Sequence, residues 1–158
     1  MWPIIFCTTV FVLMVAVVVR IRLRAARLEP IRARARIEPV TFSCFVRARM
    51  SDGHGFVDMK TFGGGILLRV HPSVLEVVMA GMEWAGRSMG SEVLLETKTS
   101  RMHRVKLGWA GTALGARPGI LITGQDPGGR IQVAIHPGTH LEEAWEALVL
   151  AGVTPDTR

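Results

Sequence analysis

The chain has 158 residues, room for one ordinary domain and a short appendage. Its formal charge of +6 is unevenly distributed: residues 20–49 hold nine Arg against Glu29 and Glu38, so the remainder is close to neutral. A neutral body, and arginines without interleaved aromatics, speak against a nucleic-acid groove; two cysteines without a CxxC pair speak against a disulfide framework, and the absence of Asn excludes N-glycosylation.

The first element is an apolar run. Pro3 to Val19 carries no charge, and with Trp2 it spans about 27 Å as a helix, short but adequate for a bilayer. Ile21 and Leu23 extend it if Arg20 and Arg22 snorkel to the headgroups, and Trp2 suits the far interface. This run accounts for much of the mean hydropathy of +0.32. A cleaved signal needs basic residues before the run and small residues after it. Here "MWP" precedes it and "VVVRIRLR" ends it, so an uncleaved anchor over residues 1–28 is the expectation. Burying such a helix on all sides would need a larger body than the rest of the chain provides. Arg20, Arg22, Arg24, Arg27, Arg32, Arg34 and Arg36 follow the span. By the positive-inside rule they put its C-terminal end in the cytoplasm and the short N-terminus outside, in the inner membrane.

Residues 29–39 come next. Glu29-Pro30 and Glu38-Pro39 close two similar units, and proline disfavours helix at the residue before it. The helix is expected to end near Leu28. "IRARARIE" alternates small or apolar residues with Arg, which predicts an extended, Arg-rich linker. The seven arginines are candidates for contact with anionic lipid, each worth about 1 kcal/mol near a charged surface; they also serve topology alone.

From residue 40 to 153 the pattern is of short β-like runs separated by turns. Seven strands are predicted, at 40–49, 65–71, 73–80, 91–99, 103–109, 119–124 and 130–136. Pro72 separates the second and third, and "DPGG" (126–129) marks a turn between the last two. A helix follows. Thr139 with Glu142 forms a capping box, and Leu141, Ala144, Trp145, Leu148 and Val149 share one apolar face. Gly152 stops it, and residues 154–158 form a tail.

Seven antiparallel strands closed by an amphipathic helix resemble the pleckstrin-homology-like (PH-like) barrel of bacterial PH-like and GRAM-like domains. Trp145 stands where PH domains frequently carry a tryptophan on the inner face of their last helix. The resemblance implies two sheets whose open corner is plugged by this helix, with Leu141, Trp145, Leu148 and Val149 as its buried face. It covers residues 40–153. Phosphoinositide-binding PH domains carry several basic residues around the first strand and its following loop. Here the 50–64 loop has Lys60 against Asp52 and Asp58, with Arg47 and Arg49 in the strand, which does not favour inositol-phosphate specificity.

No catalytic constellation emerges. His54, His71, His103, His136 and His140 show no metal-ligand spacing, and Pro137-Gly138 breaks the helix that would align the last two. Ser51, Asp52 and His54 lie on a polar turn without a nucleophile elbow. "GGG" at 63–65 lacks the Lys-Ser/Thr of a phosphate loop. Trp84 and Trp109 read as core residues of strands or loops, and the two cysteines as small buried apolar groups. The expectation is a non-enzymatic binding or scaffold module, without metal or cofactor, whose partners are the bilayer and a membrane protein complex or anionic lipid. The alternative is a small enzyme-like β-barrel holding a nucleotide or flavin.

Overall fold

The computed structural model describes residues 2–51, 57–59, 65–80, 83–84, 87–88, 92–108, 116–126 and 129–156. The first element, α1, is one unbroken helix from Trp2 to Ile37. This corrects the expected break after Leu28: "IRARARI" (31–37) is helical. Pro30 removes one backbone donor and crowds the carbonyl of Ala26, at a cost of about 3 kcal/mol in a helix interior. What offsets it is a face the alternation hid. Leu28, Ile31 and Ala35 recur at spacings of three and four, and all three are buried against Val74 and Leu94.

The body is sheet-rich. Its strands are β1 (Phe42–Ser51), β2 (Val57–Asp58), β3 (Ile66–Val70), β4 (Val74–Met79), β5 (Glu83–Trp84), β6 (Arg87–Ser88), β7 (Val93–Glu96), β8 (Arg101–Leu107), β9 (Arg117–Asp126), β10 (Gly129–His136) and β11 (Thr154–Pro155). Each of the seven predicted strands has a counterpart. The fourth is shorter than expected, because Thr97–Thr99 is a single 3-10 turn.

The main sheet runs β11-β8-β9-β10-β1-β3-β4-β7, with β2 added to β1; β5 and β6 form a separate pair. It is not a seven-stranded antiparallel array. The expected tail pairs instead: Thr154 and Pro155 lie parallel to β8, opposite Arg101 and Met102, so the sheet is mixed.

Strand β1 is the hinge of this sheet. Its first half pairs with β3 (Phe42 opposite Val70, Val46 opposite Ile66), and its second half pairs with β10 (Arg47 opposite His136, Ser51 opposite Gln132). Cys44, Val46 and Ala48 point inward and are buried, while Ser43, Phe45 and Arg47 point outward. The far strands approach each other across the core. A Cβ on Gly124 of β9 would lie 2.9 Å from a methyl of Leu95 on β7 and 2.8 Å from Ser100 Oγ, so a larger residue there would have to displace both side chains. Between the two halves lie Leu68, Val70, Leu75, Val77, Leu95, Met102, Ile120, Ile122, Val133 and Ile135, all fully buried.

The second helix, α2 (Leu141–Leu150), packs on β9 and β1. Its buried residues are Ala144 and Leu148, with Leu141 and Trp145 partly buried beside them. Two expectations are corrected. Val149 is exposed, because the buried stripe follows positions 141, 144, 145 and 148 and leaves it one residue outside. Trp145 is half-buried, its ring roofed by the Arg104 guanidinium 4.8 Å from its centroid. The capping box is also absent. A 3-10 turn over Gly138–His140 precedes the helix, His140 is the capping residue without a side-chain bond, and Glu142 turns outward to Arg104. Gly152 closes the helix at φ +96°, as expected of its position.

Candidate functional site

The feature that distinguishes this chain is the junction between α1 and the outer face of β4 and β7. Apolar contact comes first: Leu28, Ile31 and Ala35 on Val74 and Leu94. Around it lies a ring of ion pairs. Arg32 reaches Glu92, which immediately precedes β7, with two nitrogens, at 2.6 and 3.3 Å, and Glu29 on its own helix at 2.8 Å. The Arg32 and Glu92 side chains are 13% and 10% exposed, so this pair is nearly withdrawn from water. The Glu92 carboxylate raises the Arg32 pKa despite the opposing effect of burial, so the guanidinium stays charged. Arg34 pairs with Glu96 at the end of β7, and Arg36 lies 3.4 Å from Glu29.

The C-terminal end of α1 is tied as well. Glu38 accepts hydrogen bonds from the backbone N–H of Ser73, at 2.8 Å, and from the Ser73 hydroxyl. The Ser73 hydroxyl lowers the Glu38 pKa first, helped by the backbone N–H and by His71 and Arg34, against desolvation. The carbonyl of Glu38 lies 3.2 Å from His71 Nδ1. A carbonyl only accepts, so Nδ1 carries the proton in this arrangement. The buried Nε2 lies 3.6 Å from Glu76 Oε2 without a hydrogen-bond partner. Thr41 closes the joint with its N–H and hydroxyl, both on the Val70 carbonyl at 2.8 Å.

The seven candidate arginines thus divide. Arg32, Arg34 and Arg36 are held by Glu92, Glu96 and Glu29 on a helix, not on the extended linker expected here. Arg20, Arg22 and Arg27 are exposed on α1; Arg24 lies on the same helix, with its side chain outside the described set. Before them, Ile5 to Val19 is exposed along its whole length. Among the described residues α1 is the one helix long and apolar enough to cross a membrane, with a mean hydropathy of 2.2 over its best window.

The other expected positions do not converge on a reactive centre. His136 Nδ1 faces the Pro118 carbonyl at 2.6 Å and His140 Nδ1 faces Glu143 at 2.7 Å. Among the described residues no three His, Cys, Asp or Glu side chains gather in a metal-binding group. Cys7 is exposed and Cys44 is buried. Burial, and secondarily Glu143, pushes the Cys44 thiol up to about 11, so it stays protonated at neutral pH. Asp52, His54, Lys60, Trp109, most of the "GGG" stretch and the middle of "DPGG" lie outside the described residues, as do the side chains of Asp58 and Trp84.

Sequence reasoning missed Glu92, Glu96, Ser73 and Val74. The 28–31–35 spacing was the available signal for a docked helix, and an acid at each end of β7 was the signal for its arginine partners. Comparison with protein-family models, with curated proteins and with solved structures gives no match.

Proposed function

We propose that this chain is a single-pass inner-membrane protein that holds a cytoplasmic binding or scaffold domain in a fixed attitude beneath the bilayer. The observation that carries the reading is the continuity of α1. A fully exposed apolar rod passes without a break into a half-turn-by-half-turn clamp on the body. A free linker would let the domain swing; a helix docked by apolar contact and a nearly buried ion pair does not.

The orientation rests on the arginines after the apolar run, by the positive-inside rule. The PH-like assignment is supported by element order: a four-strand antiparallel meander (β1-β3-β4-β7), a three-strand meander (β8-β9-β10) returning to β1, then a closing helix. The partner is a membrane protein complex or the anionic lipid surface, and the role is non-enzymatic.

Cysteine accessibility tests the reading. In a Cys7→Ala, Cys44→Ala background, Thr157→Cys is expected to resist an impermeant thiol reagent on intact cells and to react after permeabilisation. Labelling on intact cells reverses the orientation, and recovery of the full-length chain in the soluble fraction refutes the anchor. Partner capture requires residues 28–38, since a fragment starting at residue 40 strips Val74 and Leu94 of their cover.

A further inference from the structure

The Arg-rich half of α1 carries a second uncharged stripe. Eight of the eighteen residues from Arg20 to Ile37 are charged. None of them falls on Leu23, Ala26, Pro30, Ala33 or Ile37, which recur at alternate steps of three and four along one line of the helix. At 3.6 residues per turn that line lies roughly 150° around α1 from Leu28, Ile31 and Ala35, the residues that dock the body. All five are exposed, Leu23 at 54% and Ile37 at 85%. Above Arg20 the rod is apolar on every side and singles out no such line.

Position, length and charge decide what covers this stripe. The body sits on the other side of the helix. Lipid reaches only the top: the headgroup layer is about 5–8 Å deep, whereas Ala26 and Ile37 lie about 9 and 26 Å of helix beyond Arg20, where the uncharged run ends. A second copy of α1, oriented alike by the membrane, would meet the stripe in parallel. Arg22 would then face Arg27 of the copy, and Glu29 would face Arg34. The first contact adds like charges. The second draws on groups already engaged, Glu29 with Arg32 and Arg36, and Arg34 with Glu96. A helix of another protein has neither defect, and the flanks of the stripe set its charge. Arg20, Arg27 and Arg34 line one side; Arg22, Glu29 and Arg36 line the other. Arg34 and Arg36 are half-exposed, and a guanidinium has five N–H donors, so each can take a further carboxylate.

We propose that this stripe docks an acidic amphipathic helix from the cytoplasmic side of a neighbouring membrane protein, apolar at the same spacing and flanked by carboxylates. The proposal rests on the reading that α1 spans the bilayer, and names the chemistry of the partner. The full-length chain, with Cys7→Ala and Cys44→Ala, is reconstituted in phosphatidylcholine vesicles, whose neutral headgroups leave the arginines to the probe. The probes are two fluorescent synthetic helices with the same apolar stripe, one flanked by Glu and one by Lys. Anisotropy is expected to show binding of the Glu helix and none of the Lys helix. Ala33→Asp, on the stripe, is expected to abolish that binding. Ala25→Asp, an equal change of charge at an exposed position off the stripe, is expected to preserve it. Loss with both Asp variants or with neither reduces the binding to attraction by arginine and overturns the docking site, as does a chain that binds both helices or neither. Ready oxidation of Ala33→Cys to a dimer of this chain assigns the stripe to a second copy and overturns it too. These outcomes leave the span standing; a chain that alkaline carbonate strips from the vesicles overturns the span and the proposal together.

Discussion

The two halves of α1 share a backbone and little else. From Ile5 to Val19 every side chain is exposed and uncharged; from Leu28 to Ile37 apolar residues alternate with arginine, yet Leu28, Ile31 and Ala35 are buried. Burial along this rod thus follows the placement of apolar groups, not their density. The first half is apolar all round and has no face to offer the body. The second carries four charges in ten residues, but it concentrates the apolar groups that meet the body on one stripe and sets Arg32 and Arg34 where Glu92 and Glu96 wait. The arginines divide by the same rule.

The sharpest way to break this contrast is to cut the stripe. Ile31→Ala removes a branched side chain from a 7%-exposed site and is expected to cost about 2–4 kcal/mol. Denaturant unfolding of the full chain in detergent measures it. Val12→Ala, on the bare half, is expected to leave the unfolding midpoint unchanged. Equal effects from the two substitutions would mean that the docked face contributes nothing specific.

Next comes the ion pair. Arg32→Ala leaves Glu92 almost buried and without its main partner, an outcome that costs about 2–3 kcal/mol after allowance for the remaining exposure. The double substitution Arg32→Met, Glu92→Leu is expected to recover most of the loss, because two apolar side chains need no partner. Arg20→Gln, exposed on the bare half, is expected to stay within about 0.5 kcal/mol of the parent. A double variant as unstable as Arg32→Ala would show that the charges themselves, not their pairing, hold the joint.

These residues also show what a sequence reveals. The strands were legible from short β-prone runs set off by turn residues; in β1 the inward Cys44, Val46 and Ala48 alternate with outward Ser43, Phe45 and Arg47, of which Phe45 breaks the polar pattern. The closing helix was legible from Ala144 and Leu148, but its boundary residue Val149 was not, since one position of rotation decides its exposure. The docked half of α1 was hidden because "IRARARI" satisfies a period of two as readily as it hides a period near 3.6, and Pro30 argued for a break. Only the partners Val74 and Leu94, some forty and sixty residues away, settle which period wins. The capping box failed for a similar reason: Glu142 had a better-charged partner in Arg104, which no local pattern announces.

The third prediction contrasts the two cysteines. Cys44 sits in the core with its thiol pushed up to about 11, against an ordinary 9.0. At a pH between neutrality and 8 its thiolate is about 100-fold scarcer than that of an ordinary cysteine. In a Cys7→Ala chain, alkylation is therefore expected to be at least that much slower when folded than in denaturant. Rapid alkylation of the folded protein would mean that the core around β1 opens readily, contrary to the packing of Cys44, Val46 and Ala48.

The smallest effect belongs to Glu38, where the rod ends. Its carboxylate is held below the ordinary carboxylate range, chiefly by the Ser73 hydroxyl. The sign follows from linkage: a depressed folded-state pKa means that the unfolded chain binds the proton more readily. The Glu38–Ser73 contact therefore contributes its full stability above the unfolded value of about 4.3 and loses it as pH falls through the lower folded value. Its size is on the order of 1 kcal/mol, as suits a charged hydrogen bond near the surface. The measurement is the difference in unfolding free energy between the parent and Glu38→Gln, taken from pH 7 down to pH 3. That difference is expected to be constant down to about pH 5 and to shrink below it. A difference that grows on acidification has the wrong sign for a stabilised carboxylate and would remove Glu38 from the clamp, leaving the helix end held by His71 and Thr41.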